Sequence, residues 1–239
     1  MAASVSPSRH GSGPWRILCD FDGTITPFDV TDAILDKFAH PSWEDVERAW
    51  LAGRITARAC MERQVGLIDV AVSILDAWLD DVPITDGFQD FTRLCRAKGL
   101  DLMIVSDGLD HAIRRVLFRH GISDVPIFAN RLRCVGATGY KLEFPYGVQG
   151  CASGVCKCGV AKFLEHPILL IGDGRSDCCA ADTASLVLAK QGKELQRHCE
   201  AENYPFQTFN DFFDVAALLE TALPGGVPTR VAPAGIRTA

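Results

Sequence analysis

Ile17-Leu18-Cys19-Asp20-Phe21-Asp22-Gly23-Thr24 decides how the rest of the chain is read. Three apolar residues run into a carboxylate, a second carboxylate follows two positions on, and a glycine then lets the chain turn. The design recurs twice, where Leu102-Met103-Ile104-Val105 runs into Ser106 and Ile168-Leu169-Leu170-Ile171 into Gly172-Asp173. Unbroken rather than alternating hydrophobicity marks strands covered on both faces, the habit of parallel strands in an α/β sheet. Ligands of open α/β sheets bind beyond the carboxyl ends of the strands, so Asp20, Ser106 and Asp173 are expected to meet in one crevice. A fourth strand is expected over residues 186–189.

Outward from these strands, residues 86–97 carry Phe88, Phe91, Leu94 and Cys95 at helical spacing and stop at Lys98-Gly99. Residues 109–119 carry Ile113, Val116 and Leu117 and end at Gly121. Between 30 and 83 the pattern changes to short helices without a strand, over 31–38, 43–51 behind Ser42, 57–66 behind Thr56, and 70–80. This reads as a helical insert after the first strand. Residues 127–133 and 140–144 read as an antiparallel hairpin. The expected organisation is a core of 15–29 and 84–222, a helical cap of 30–83, and tails at 1–14 and 223–239, both rich in Pro, Gly and small residues. The fold class is α/β, a doubly wound and mainly parallel sheet with an inserted helical cap.

The chain of 239 residues has ample side chains for a core without disulfide or metal support. It holds 30 acidic and 24 basic side chains, a net charge of −6, which disfavours nonspecific binding to nucleic acid or anionic membrane. No apolar run reaches the roughly 18 residues of a membrane span, and the first fourteen residues lack the apolar stretch of a secretory signal. The expected location is the cytoplasm, where the 10 cysteines would be reduced. Sequence alone leaves the oligomeric state open.

In Asp20-Phe21-Asp22-Gly23-Thr24, one carboxylate could attack phosphorus while the other protonates the leaving oxygen and then activates water. The alternative is a solvated turn. In Gly172-Asp173-Gly174-Arg175-Ser176-Asp177, hard oxygen donors suit Mg²⁺, with Asp173 the better ligand and Asp177 either binding through water or capping a helix. Ser106-Asp107-Gly108 stands between a strand and a helix, where a hydroxyl and backbone N–H groups either hold a phosphate oxygen or cap the helix. Lys157 lies on the approach to a helix expected over 158–165 and either adds positive charge to that phosphate or is a surface lysine.

In order and spacing, DFDGT at 20–24, Ser106, Lys157 and GDGRSD at 172–177 together resemble the haloacid-dehalogenase-type phosphatases. The resemblance spans nearly all of residues 17–190 and implies a doubly wound core with a mobile cap. It implies Asp20 as nucleophile and Asp22 as general acid/base. It implies Mg²⁺ on Asp20, the Asp22 backbone carbonyl and Asp173, with Asp177 supporting the metal, and Ser106, Gly108 and Lys157 holding the phosphoryl group. Members that cleave carbon–halogen bonds lack the second aspartate, so Asp22 argues for phosphate-ester hydrolysis.

Finer features, CDFDGTIT with Asp29 and Thr31-Asp32, VSDGLD at 105–110 and a Cys-rich stretch ending in Cys156-Lys157, resemble the methionine-salvage phosphatases acting on hydroxy-keto-methylthiopentenyl phosphate. Phosphoserine phosphatases are close neighbours, but Gly23 and Asp29 depart from their usual serine and glutamate. The expected partner is thus a small phosphate ester, with Asp29 and Arg58 as candidates for specificity and Arg54, Glu62 and Gln64 beside them in the cap. Trp43, Trp50 and Trp78 read as cap core, and Cys178-Cys179 as small buried residues. Cys134, Cys151, Cys156 and Cys158 lack paired zinc-knuckle spacing and are expected as free thiols, with a structural Zn²⁺ as the alternative. Two rival functions share these residues: a phosphotransferase, and a non-enzymatic zinc-stabilised binding protein.

Overall fold

A computed structural model describes residues 15–164 and 167–222, so both expected tails, and Glu165 of the expected 158–165 helix, fall outside the described residues. The described residues form a seven-stranded sheet in the order β4-β3-β2-β1-β5-β6-β7. The strands are β1 Arg16–Cys19, β2 Asp101–Leu109, β3 Ile127–Val135, β4 Gly139–Glu143, β5 Ile168–Gly172, β6 Leu186–Lys190 and β7 Phe206–Phe209. All neighbouring pairs are parallel except β3 and β4. The three motif strands are therefore central and adjacent, with Cys19 in register with Ile104 of β2 and Ile171 of β5.

Burial on both faces accounts for the unbroken hydrophobicity. Ile17, Cys19, Leu102, Ile104, Leu169 and Ile171 belong to one core, while Leu18, Met103, Val105, Ile168 and Leu170 belong to a second, as side chains alternate across the sheet. The first core takes in residues of α1 Val30–Phe38, α4 Val72–Leu79, α5 Phe88–Ala97, α6 Asp110–Arg119 and α10 Phe212–Ala222. The second is covered by α7 Lys157–Phe163, α8 Cys178–Ala181 and α9 Glu194–Glu202.

Four helices follow β1 as expected, with α2 Trp43–Leu51 and α3 Ala57–Val65 between α1 and α4. Asp29 caps α1 by accepting from the Asp32 amide, and Thr56 caps α3 by accepting from Ala59, but Ser42 makes no such bond to α2. No residue of α2 is buried, whereas Ile34 and Leu35 of α1 and Leu75 and Leu79 of α4 sit in the main core. The end of the insert is also pinned by polar contacts: Asp76 accepts from His111 at 2.6 Å, and Asp80 receives both Nε and Nη2 of Arg115 at 2.5 and 2.6 Å.

Three local expectations need correction. The helix expected from residue 158 begins at Lys157 itself. Ser106 and Gly108 stand within β2, which continues to Leu109 with an irregular register against β3 between Val105 and Leu109. The hairpin forms, but its first strand also joins the main sheet through β2. Strand β7 was missed because Gln207 and Thr208 are exposed, leaving Phe206 and Phe209 too little apolar pattern to read. Among the described residues no helix is long and apolar enough to cross a membrane.

Candidate active site

After β1 the chain makes a wide turn over Phe21–Ile25, closed by the Thr26 amide donating to the Phe21 carbonyl at 3.0 Å. Asp22 is extended and Gly23 has φ +71°, the left-handed region that favours glycine. A Cβ on Gly23 would collide with the Asp173 carboxylate. On the other side, a Cβ on Gly108 would collide with Asp22 Oδ2 and stand 3.2 Å from Ser106 Oγ. Two glycines thus let three strand ends crowd their carboxylates together.

The buried Lys157 is the hub of the site. Its Nζ is 2.8 Å from Asp20 Oδ2 and 2.7 Å from Asp177 Oδ1, and all three side chains are almost fully enclosed. Burial opposes the ammonium charge, but Asp177 and Asp20 outweigh it and raise the lysine pKa, so Lys157 stays protonated. Asp177 Oδ2 accepts from the Asp173 and Gly174 amides at 3.1 and 3.0 Å, and its side chain does not cap α8. Its task is to order the Gly172–Asp177 loop and hold the lysine. Asp20 Oδ1 accepts from the Phe21 amide at 2.7 Å, and Asp173 Oδ1 from Thr24 Oγ1 at 3.1 Å. Burial and then Asp20 push the Asp173 carboxyl up to about 6.

Asp22 Oδ1 accepts from the Val30 amide at 2.8 Å, which orients its carboxyl at the start of α1. Burial, then Asp29 and Asp20, raise its pKa well above the usual carboxylate range. Ser106 is buried and its Oγ accepts from the Gly108 amide at 3.0 Å.

Asp20, Asp173 and Asp177 each offer an oxygen within 4.8 Å of the others. Three buried carboxylates face one ammonium, so the negative charge exceeds the resident positive charge. Hard oxygen donors with excess negative charge fit a divalent cation such as Mg²⁺.

A cleft of about 670 Å³ opens above these groups. Asp20, Asp22, Ser106, Gly108 and Asp173 form part of its floor, and Trp50, Leu51, Ile55 and Met61 of the helical insert, with Phe28 just before it, form an apolar wall. Asp29, Asp32, Glu47 and Gln64 also line it, with Gln64 Nε2 donating to Glu47 at 2.9 Å. Asp29 is thus a lining residue of the cleft. Arg58 is not among the lining residues: its Nη2 donates to the Ser153 carbonyl at 3.1 Å and its guanidinium lies over Phe144. Arg54 and Glu62 are exposed and likewise outside the lining. Trp50 was expected in the cap core, but it lines the cleft with Arg175 over its ring, while Trp43 and Trp78 do pack on the core.

Sequence reasoning gave no role to Thr24, Asp107, Asn130 or Lys190. Lys190 Nζ donates to the Gly23 carbonyl at 2.7 Å, from the carboxyl end of β6, the edge that the strand-end rule singles out. Asp107 Oδ1 accepts from the Val155 amide at 2.6 Å, and Asn130 Nδ2 donates to the Asp107 carbonyl at 2.6 Å. This ties the Ser106 segment to the approach of α7. The Cys178-Cys179 pair needs correction, since Cys178 is half-buried and Cys179 exposed rather than both buried, while Cys134, Cys151, Cys156 and Cys158 are free thiols as expected.

A family model described as haloacid dehalogenase-like hydrolase matches residues 17–182. The chain is 30% identical over 214 residues to the 2-hydroxy-3-keto-5-methylthiopentenyl-1-phosphate phosphatase of Brevibacillus brevis, covering 85% of this chain and 94% of that protein. It is 31% identical over 216 residues to the protein of the same name from Geobacillus thermodenitrificans, again covering 85% and 94%. In fold it is similar to a HAD-family hydrolase from Salmonella enterica serovar Typhi, with TM-score 0.68, 21% identity, and coverage of 87% and 72% of the two chains. It is also similar in fold to a substrate-bound phosphoserine phosphatase, with TM-score 0.63, 18% identity, and coverage of 87% and 99%.

Proposed function

The chain belongs to the haloacid dehalogenase-like hydrolase family as a phosphatase, and on that premise we propose that it hydrolyses a small-metabolite phosphomonoester through an Asp20 aspartyl-phosphate. The observation that carries this reading is the enclosed Lys157 gripping Asp20 and Asp177 beneath the cleft, with Asp22 poised beside them.

In this reading the Asp20 carboxylate attacks phosphorus, and the ester oxygen leaves with a proton from Asp22, whose raised pKa suits it to hold one. Asp22 then removes a proton from water, which attacks the acyl phosphate, releases inorganic phosphate and restores Asp20. Ser106, the Gly108 segment and Lys157 hold the phosphoryl oxygens and offset their charge. Mg²⁺, when held by Asp20, Asp173 and the Asp22 backbone carbonyl with support from Asp177, supplies further positive charge against the developing phosphoryl charge. The α1–α4 insert acts as the cap that shapes the organic end of the site.

For the substrate we favour the hydroxy-keto-methylthiopentenyl phosphate of methionine salvage. The names of the relatives support it, and Phe28, Trp50, Leu51, Ile55 and Met61 offer an apolar wall suited to a methylthio tail. The cations among the described lining residues, Arg175 and Lys193, come from core loops, so the cap wall offers no partner for a substrate carboxylate. A second reading, an amine-bearing ester of the phosphoserine kind, is favoured by Asp29, Asp32 and Glu47 on that wall.

A panel of phosphorylated metabolites assayed in Mg²⁺ with wild type and Asp20→Asn tests both levels. Loss of all turnover in Asp20→Asn is expected, with the methylthio ester ranking first. Full activity in Asp20→Asn removes the proposed nucleophile, and a strong preference for phosphoserine removes the methionine-salvage substrate.

A further inference from the structure

Asp107 stands between Ser106 and Gly108 and lines the cleft with both, at the irregular end of β2, yet its side chain has no task in the mechanism. Its Oδ1 accepts from the Val155 amide at 2.6 Å and its backbone carbonyl accepts from Asn130 Nδ2 at 2.6 Å, so the residue is fixed from two sides. Oδ2 has no hydrogen-bond partner among the described residues. Nor is it one of the enclosed polar side-chain atoms left without a partner, which among the described residues are Arg16 Nε, Arg58 Nε and Asn130 Oδ1. It is therefore open. Asp107 borders the cleft and a void of about 10 Å³, too small for more than a single water, so a ligand reaches this oxygen from the cleft.

A carboxylate repels the oxygens of a phosphoryl group, so an open carboxylate oxygen here serves the organic part of the ester. Asp107 is also outside the metal cluster, since the carboxylates with oxygens within 4.8 Å of one another are Asp20, Asp173 and Asp177. Consecutive Cα atoms are about 3.8 Å apart, so a group held by Asp107 belongs beside the phosphoryl group held at Ser106 rather than at the far end of the cleft. We infer that Asp107 Oδ2 accepts a hydrogen bond from a hydroxyl on the carbon next to the phosphorylated carbon, and so selects 2-hydroxyalkyl phosphates. This deepens the phosphatase reading and rests on it. The ester favoured above has its hydroxyl on carbon 2 and its phosphate on carbon 1, the arrangement that this contact requires.

An ammonium brings three donors to this one oxygen and a hydroxyl brings one, so the hydroxyl is the better match. The Val155 amide already holds the other carboxylate oxygen, so the acceptor needs little ordering when the substrate arrives. A hydrogen bond to an ionised group is worth on the order of 10- to 100-fold in binding, and it is lost by an ester without the hydroxyl.

The test measures kcat/KM for ethyl, 2-hydroxyethyl and 2-aminoethyl phosphate in Mg²⁺ with wild type, Asp107→Asn and Asp107→Ala, beside hydrolysis of an aryl phosphate. Wild type is expected to favour the hydroxyethyl over the ethyl ester by roughly 10- to 100-fold. Asp107→Ala should bring that ratio close to one. Asp107→Asn can keep the Val155 bond through its amide oxygen and turns an NH₂ donor to the cleft, so it should lower the ratio without loosening the loop. A purely structural Asp107 would slow both esters in the variants and leave the ratio untouched, and that outcome overturns the inference. So does a wild type that prefers the aminoethyl ester, treats the hydroxyethyl and ethyl esters alike, or takes neither while hydrolysing the aryl phosphate, and in each case the phosphatase reading stands. A wild type inert toward every ester overturns the phosphatase reading, and the inference falls with it.

Discussion

Lys157 and Asp177 lie 20 residues apart in the chain and form an ion pair of 2.7 Å from which water is excluded. The same ammonium reaches Asp20 at 2.8 Å, so loss of its charge leaves two buried carboxylates without a counter-ion. Breaking such a pair from one side typically costs about 3–5 kcal/mol. Lys157→Met is expected to lower stability on that scale in urea unfolding, and to reduce kcat by on the order of 10²–10³. Mg²⁺ is expected to recover part of the stability by supplying the missing positive charge.

Gly23, Gly108 and Gly53 separate strain from collision. Gly23 has φ +71° and a Cβ there strikes Asp173, Gly108 has a Cβ position against Asp22, and Gly53 has φ +69° with nothing within 4 Å. Gly53→Ala should show only backbone strain, about 1 kcal/mol, with the rate preserved. Gly23→Ala and Gly108→Ala should each lose roughly 10²-fold in kcat while circular dichroism stays native. Equal rates for all three variants would show that the carboxylates tolerate displacement.

In the proposed mechanism Asp22, whose pKa is raised by burial and by Asp29 and Asp20, is the group that protonates the leaving oxygen. A nitrophenolate leaves without help, whereas an alkoxide does not. Asp22→Asn is therefore expected to slow alkyl phosphates by about 10²–10⁴, and to slow aryl-phosphorus cleavage much less in single-turnover measurements. A uniform loss across leaving groups would assign Asp22 a different task.

Asp80 ties the end of the insert to α6. Its carboxyl is held below the ordinary value by hydrogen bonds from Arg115, against a smaller opposing effect of desolvation. A carboxyl lowered on folding contributes stability above its unfolded pKa of about 4, and loses it as pH falls through the folded value. Asp80→Asn should lower the thermal midpoint at neutral pH and bring the two proteins together in strong acid. Parallel midpoints across that range would place the pair among surface contacts without influence.

Much of this was legible because the chemistry lies in contiguous motifs at strand ends. Asp20, Ser106 and Asp173 follow short apolar runs of strand length that are buried on both faces, and their convergence follows from parallel strand direction. Lys157 was legible only in combination, since nothing in GVCKCGV says that its ammonium is enclosed. Arg58 and Trp50 show what periodicity leaves undecided. Both fall on short helices in the insert, where part of a turn of rotation separates a side chain that lines the cleft from one that packs beside it. Strand β7 and the Lys190 contact depend on pairing at the far edge of the sheet, which local pattern does not encode.

Neighbouring strands lie about 4.8 Å apart, and Asp20, Ser106 and Asp173 stand at the ends of β1, β2 and β5, which are adjacent in space but spread over the chain. Asp20 and Asp173 are 153 positions apart and Thr24 donates to Asp173 across 149, so neither half of the polypeptide holds the whole cluster. Such distant closure is slow and comes late, after local helices have formed. Recovery of turnover during refolding should thus trail recovery of helical signal, and this enzyme's catalytic rate becomes a clock for assembly of its own middle strands.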